Sequence, residues 1–145
     1  MVVDIVQRTG VDHSTFTRHP KRTLAVISKQ DDCLRWSAAS KANKPAMMVV
    51  GDFHFTNVHT GTTSVQKTFL VVRRPRHLWL RRLRFEGKLG VQGHNIRPGR
   101  TTTGRAIWYI QPPIEPPGKP LRARAIFVDR FGNERRTALL TFRAQ

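Results

Sequence analysis

The amino-acid sequence predicts an all-β fold in a single domain spanning residues 1–145. Its apolar runs are short and rich in Val, Ile, Phe and Thr, and Gly, Pro or Asn separates them at intervals of about ten residues. No long segment shows the apolar period of an amphipathic helix. The length and the 39% hydrophobic content suit one domain, and several short strands suit a sandwich or a barrel.

Eight strands are predicted, each an apolar run bounded by turn residues. Residues 1–20 precede them as an irregular N-terminal arm, and residues 37–45 form a polar loop of small residues. The predicted strands are residues 23–29, 46–56, 62–73, 78–85, 88–93, 101–110, 121–129 and 134–143.

The last two strands form a predicted hairpin. Between them lies Gly132-Asn133, a Gly-x pair that suits a type II′ turn with Gly132 at its first central position. Two-residue alternation then places Ala138, Leu140 and Phe142 on one face of the closing strand. The same pattern along the other strands predicts a core that contains Phe53, Phe55, Phe69, Leu70, Trp108, Phe127, Leu140 and Phe142.

Residues 111–120 contain five prolines, which remove backbone donors and exclude a central strand or a helix. The segment is therefore a connection between strands. Its two Pro-x-x-Pro spacings, at residues 113–116 and 117–120, also fit the polyproline ligands of aromatic-grooved domains. A stiff crossover between sheets is the preferred interpretation.

Several motifs follow one another along the chain. Residues 53–57 and 62–65 form a close strand pair, residues 96–99 lead into a strand, Pro112-Pro113 follows it, and Phe131-Gly132-Asn133 turns the last hairpin. In this order they resemble immunoglobulin-like β-sandwich modules over about two thirds of the chain. The resemblance implies an antiparallel sandwich of seven to nine strands and a binding or spacer role. The paired cysteines of antibody-type domains are missing, so no antibody-like function is implied.

The composition indicates an acidic partner. Twenty-six Lys and Arg against nine Asp and Glu give a formal net charge of +17, well above the magnitude of about 2 to 8 that suffices for solubility. Nucleic acid is the commonest partner of such a surplus, followed by an anionic membrane surface or an acidic protein. Coding bias is the alternative explanation, since Arg outnumbers Lys nineteen to seven.

The predicted location is the cytoplasm. Cys33 has no partner for an internal disulfide, which suits a reducing compartment. Asp4 stands where an export signal would carry positive charge. No apolar run approaches the roughly 20 residues of a membrane helix, so we expect a soluble or at most peripheral protein without an integral membrane segment.

The densest charge lies in residues 73–84, where six Arg accompany one Trp. Guanidinium groups bind phosphates in a forked geometry and an indole can stack on bases, so the segment suits nucleic-acid contact. An edge strand that charge protects from pairing with another chain is an equal alternative. The candidate nucleic-acid contacts are Arg73, Arg74, Arg76, Trp79, Arg81, Arg82 and Arg84.

A second basic group near two glycines comprises Arg97, Arg100 and Arg105. Guanidinium groups and glycine amides together suit a phosphate, but the glycine spacing matches no phosphate-loop fingerprint. The last hairpin would extend the basic surface if its strands neighbour the first group, through Arg122, Arg124, Arg135 and Arg136.

A metal-dependent hydrolase is the weakest of the functions considered. Asp52 and His54 are two residues apart in a predicted strand and so point the same way, as metal-ligand pairs often do. A third ligand would have to come from His59, His77 or His94. The preferred interpretation is that the pair faces solvent. No metal site, cofactor or catalytic residue is predicted, because the chain has neither a nucleophile elbow nor a spaced acid-base pair.

These observations predict a non-catalytic interaction module that docks on a polyanion, most readily nucleic acid, through its arginines. The alternative is a protein-assembly subunit whose exposed strands pair with copies of itself or with another protein, the arginine surplus being incidental. Binding measured over a range of ionic strengths distinguishes the two functions, because phosphate contacts weaken steeply with added salt and apolar strand pairing does not.

Overall fold

A computed structural model of the chain describes residues 24–29, 34–76 and 79–145, and the side-chain surroundings of residues 34–73 and 82–145. These residues form ten strands and no helix, so the all-β prediction is confirmed, and they include no helix able to cross a membrane. The predicted N-terminal arm lies outside them. The strands are β1 (Leu24–Lys29), β2 (Arg35–Lys41), β3 (Lys44–Asn57), β4 (Val65–Arg76), β5 (Trp79–Glu86), β6 (Lys88–Leu89), β7 (Thr101–Ile110), β8 (Leu121–Asp129), β9 (Glu134–Arg136) and β10 (Leu140–Ala144).

All ten strands belong to one sheet. Its path runs β5-β4-β8-β10-β2-β3-β7-β6, with β1 paired to β3 and β9 paired to β8. The strand β10 joins the two halves of this path, because it pairs antiparallel with β8 through residues 140–142 and parallel with β2 through residues 143–144. The two ends of the path, β5 and β6, are consecutive in the chain, with Gly87 as the one residue between them. The sheet is therefore barrel-shaped and nearly closed.

The prediction of an immunoglobulin-like sandwich is wrong. A sandwich has two sheets that face each other as separate ladders, whereas here β10 pairs on both sides and makes one continuous sheet. The motifs behind the resemblance specify turns and short strands, which sandwiches and barrels share. They do not decide which distant strands pair.

The segment predicted as a polar loop is a tight hairpin between β2 and β3. Ala42 and Asn43 have positive φ angles of 52° and 61°, the pattern of a two-residue type I′ turn. The sequence signal for β2 is weak because the strand has no β-branched residue. The longer β3 pairs with β2 and β1 on one side and with β7 on the other.

The turn of the last hairpin differs from the predicted type II′ geometry. The amide of Gly132 donates to the Asp129 carbonyl at 3.0 Å, so Arg130 and Phe131 are the central residues. Gly132 follows them with a φ of 83°, as in a type I turn with a G1 bulge. The Asp129 carboxylate accepts the amides of Phe131 and Asn133 and so stabilises the turn.

The predicted closing strand is divided into β9 and β10 at Thr137. The Thr137 hydroxyl accepts a hydrogen bond from the Ala125 amide at 3.0 Å and donates one to the Ala138 carbonyl at 2.8 Å. A side-chain oxygen therefore replaces a backbone carbonyl as the acceptor for the Ala125 amide. Thr137 is consequently buried and Ala138 exposed, against the prediction for Ala138. Leu140 and Phe142 are buried as predicted.

The predicted core is confirmed except at Phe69, which is partly buried. Phe127 lies between Phe53 and Phe55, with ring centroids 4.9 Å from each in edge-to-face geometry. Trp108 continues the cluster, with edge contacts to Phe53 at 6.1 Å and to Phe142 at 6.2 Å. Edge-to-face pairs of this kind each add about 1 kcal/mol to the stabilisation from burial.

Gly87 lies against the indole of Trp108 where the chain passes from β5 to β6. A Cβ atom at Gly87 would lie 2.6 Å from both the Ile107 carbonyl oxygen and Trp108 Nε1, and would also collide with Trp108 Cδ1. The Gly87 amide donates to the Thr68 carbonyl at 3.0 Å, which fixes the backbone on the other side. Only a residue without a side chain fits this passage between the two ends of the sheet.

We predict that Gly87→Ala lowers the free energy of unfolding by about 1 to 3 kcal/mol, because the added methyl overpacks a site bounded by backbone and a buried ring. Thermal or denaturant unfolding measures the loss. Gly90→Ala is the matched control, since its Cβ would meet only the Arg105 carbonyl oxygen at 3.8 Å. Equal stability of the two variants would show that the passage has more room than the packing indicates.

Candidate polyanion-binding surface

The outer surface of β5, β4 and β8 is rich in arginine. Leu70 and Val72 of β4 are buried, so the alternate positions of that strand face outward. Strand register places Arg82 directly opposite Arg73, and it places Arg84 and Arg124 on either side of Val71. We call this surface the arginine face, which consists of the exposed side chains of Arg73, Arg82, Arg84, Arg122 and Arg124.

Paired strands bring most of these arginines close together. In the strand register Val71 of β4 lies between Arg84 of β5 and Arg124 of β8, and Arg73 lies opposite Arg82. The described pairing of β4 with β8 ends at Val71 and Arg124, and Arg73 and Arg122 line one surface cleft beyond that end. Neighbouring strands are about 4.8 Å apart. The arginine face therefore concentrates guanidinium groups on three adjacent strands.

Arg84 is held by two neighbours on this surface. Its guanidinium carbon lies 3.9 Å from the centroid of the Phe69 ring, and Nη2 donates to Glu134 Oε1 at 2.8 Å. Phe69 is at an outward position of β4, and its partly buried ring supports the cation. The hydrogen bond from Arg84, with the nearby charges of Arg84 and Arg136, lowers the pKa of the Glu134 carboxyl below 4.5.

The other four arginines of the face have no such carboxylate partner. Within residues 34–73 and 82–145, no ion pair is formed by Arg73, Arg82, Arg122 or Arg124. The opposed pair Arg73 and Arg82 places like charges across a strand pair, an arrangement that costs stability. These four guanidinium groups are available to an external anion.

The remaining residues of the first predicted group lie further along the same hairpin. Strand register places Arg74 opposite Arg81 and Arg76 opposite Trp79. Their side-chain surroundings lie outside the described residues. The predicted condition for extending the surface is met, because β8 pairs with both β4 and β9. The pairing of β8 with β4 brings Arg122 and Arg124 beside the first group, whereas Arg135 of β9 is opposite Phe127, a residue of the core.

The second predicted group is not part of the arginine face. Arg97 and Arg100 are exposed in the loop between β6 and β7, and β7 pairs with β3 and β6. On β7, Arg105 binds the Asp52 carboxylate through Nε at 2.9 Å and Nη2 at 3.2 Å. The guanidinium of Arg105 is therefore already engaged by a carboxylate of the same chain.

The possible metal pair has other partners in the structure. Asp52 is bound by Arg105, and His54 Nδ1 lies 2.9 Å from the Thr103 hydroxyl. In the part of the chain that the structure describes, no three His, Cys, Asp or Glu side chains are grouped as metal ligands. His77 lies outside that part.

No family model and no curated protein matches the sequence. Among solved structures, the chain is similar to the X-ray structure of the Northeast Structural Genomics Consortium target SoR45, with 10% identity, a TM-score of 0.41, and coverage of 82% of this chain and 84% of that chain. It is also similar to the crystal structure of a Bordetella pertussis protein assigned as ApaA, with 14% identity, a TM-score of 0.37, and coverage of 86% and 96%. At these scores neither similarity carries an argument about fold or function.

We predict that acidification removes the stabilisation that Glu134 gives to this surface. Its pKa is lowered in the folded state, so the stabilisation is present above the ordinary value of 4.5 and is lost as the pH falls through the lowered value. The melting temperatures of the wild type and Glu134→Gln should differ near pH 6 and converge as the pH falls below 4.5 and through the lowered pKa of Glu134. A gap that stays constant over this range would show that the ion pair with Arg84 adds nothing to stability.

Proposed function

We propose that this chain is a non-catalytic binding module that docks on nucleic acid through the arginine face. The observation that carries the proposal is the concentration of Arg73, Arg82, Arg122 and Arg124 on three adjacent strands, with no carboxylate of the described residues paired to them. Positive charge concentrated in this way favours a partner with repeated negative charge. A nucleic-acid backbone has one phosphate at every nucleotide.

The identity of the cations supports phosphate over other anions. A guanidinium group offers a rigid fork of donors that matches phosphate oxygens and is less strongly hydrated than an ammonium group. Six basic side chains occupy the described outward positions of β4, β5 and β8, and five of them are arginines, Lys67 being the exception. Contacts of this kind set position and affinity and carry no sequence information, so we expect binding to nucleic acid of mixed sequence.

Phe69 and Glu134 support the proposal in a second way. They hold the guanidinium group of Arg84, which extends from β5 to Phe69 of β4, in one position. The outer surface around Arg84 is thus ordered before a ligand arrives. The direct contacts come from the four arginines that form no ion pair among the described residues.

We predict that the double variant Arg82→Gln/Arg124→Gln weakens binding to mixed-sequence single-stranded RNA or DNA by about tenfold at low salt. It should reduce the slope of log affinity against log salt by about one unit for each lost phosphate contact. Fluorescence anisotropy over a salt series measures both quantities. The melting temperature should change little, because both side chains are exposed.

The matched control is Arg97→Gln/Arg100→Gln, which removes the same charge from the exposed loop between β6 and β7. This control should keep nearly the wild-type affinity and salt slope. Equal weakening in both doubles would show that binding follows net charge and not the arginine face. Absence of wild-type binding even at low salt would reject the proposal and leave the assembly-subunit alternative, which the oligomeric state in solution tests.

A further inference from the structure

A cleft of about 510 Å³ opens at one end of the arginine face. One side is formed by the strands, with Arg73 of β4, Arg122 of β8 and Thr141 of β10. The other side is formed by the proline-rich connection between β7 and β8. The cleft thus combines Arg73, a predicted nucleic-acid contact, with a segment whose preferred interpretation from the sequence is a connection between strands.

The proline-rich connection is held in place by hydrogen bonds to the sheet. Trp36 Nε1 donates to the Lys119 carbonyl at 2.8 Å, the Ile114 amide donates to Met47 Sδ at 3.3 Å, and Gln111 Nε2 donates to the Lys41 carbonyl at 3.0 Å. Ile114 also packs against the hydrophobic core. Both sides of the cleft are therefore formed before any ligand binds, which reduces the entropy cost of binding.

The cleft carries a surplus of positive charge. Arg73, Arg122 and Lys119 bring three positive charges, and Glu115 brings one negative charge, which leaves a formal balance of +2. The single carboxylate lies 3.8 Å from Lys119 Nζ, so the two guanidinium groups are not neutralised by it. A phosphomonoester carries a charge of about −1.5 to −2 near pH 7 and three acceptor oxygens, whereas each backbone phosphodiester carries only one negative charge.

We infer that this cleft binds a nucleotide through its terminal phosphomonoester. Arg73 and Arg122 hold the phosphate oxygens, the Thr141 hydroxyl adds a neutral donor, and the nucleoside lies against Ile114 and Pro116. The volume falls within the range of about 300 to 1,000 Å³ typical of small-ligand sites. A nucleotide at the end of a strand and a free nucleotide share this chemistry. The binding of a nucleotide at the end of a strand rests on the proposed function.

The test compares single-stranded DNA of about ten nucleotides that carries a phosphate at its 5′ end, at its 3′ end, or at neither end. The full chain should bind at least one phosphorylated strand about tenfold more tightly than the unphosphorylated strand, the effect expected of one added charge-assisted contact. Arg122→Gln should abolish this preference. Arg124→Gln is the matched control, since it lies two residues away on the same strand and outside the cleft lining.

The two variants separate the cleft from the surface around it. Arg124→Gln should weaken all strands by the same factor and keep the preference for the phosphate. No preference in the wild type, or a preference that survives Arg122→Gln, overturns the inference even if strand binding itself remains. The melting temperatures of both variants should stay close to that of the wild type, since both side chains are exposed.

A second arm uses adenosine monophosphate and adenosine as probes of the free-nucleotide source. Tighter binding of the monophosphate than of adenosine, lost in Arg122→Gln and kept in Arg124→Gln, supports phosphate binding in the cleft. This result would support the cleft even if no strand binds, in which case the proposed function fails. Strand binding without any phosphate preference, together with no binding of the monophosphate, rejects the cleft and keeps the proposed function. Absence of binding in both arms rejects both.

Discussion

The indole of Trp108 lies where the chain passes from β5 to β6, against a residue that has no side chain. These two strands are the ends of the sheet path, and Gly87, the residue between them, packs against Trp108. The same ring packs on Phe53 and Phe142 inside the sheet. Trp108 therefore packs both in the core and against the connection between the two ends of the sheet. Among the described residues, its Nε1 is the one buried side-chain donor without a hydrogen-bond partner.

Core packing decides which side of β4 and β5 faces solvent. Because successive side chains alternate, a shift of one residue in the register of β4 would turn Leu70 and Val72 outward and bring Arg73 towards the core. The large apolar side chains inside the sheet exclude that register. The arginine face is thus a consequence of core packing, and its charges are aligned by backbone pairing rather than by contacts among the arginines themselves.

The sequence carried enough information for the strand content, most of the core and the density of charge between residues 73 and 84. The closure of the sheet could not be predicted from the sequence, because the pairing of β10 with both β8 and β2 joins residues that are distant in the chain. Local pattern also missed β2, which lacks β-branched residues, and the Thr137 hydroxyl that interrupts the last strand. The cleft was missed for the same reason as the closure, since Arg73, Lys119 and Arg122 meet only in three dimensions.

A coding bias explains how many arginines the chain has, but it predicts no arrangement for them. Arg105 and Arg84 are both bound by carboxylates of the same chain, which is the usual outcome when a guanidinium group stabilises a fold. Arg73 and Arg82 instead face each other across two strands without a carboxylate partner among the described residues, and such like-charge pairs destabilise a sheet. An acidic residue at either position would relieve this repulsion, so the stability of the fold does not by itself favour the pair.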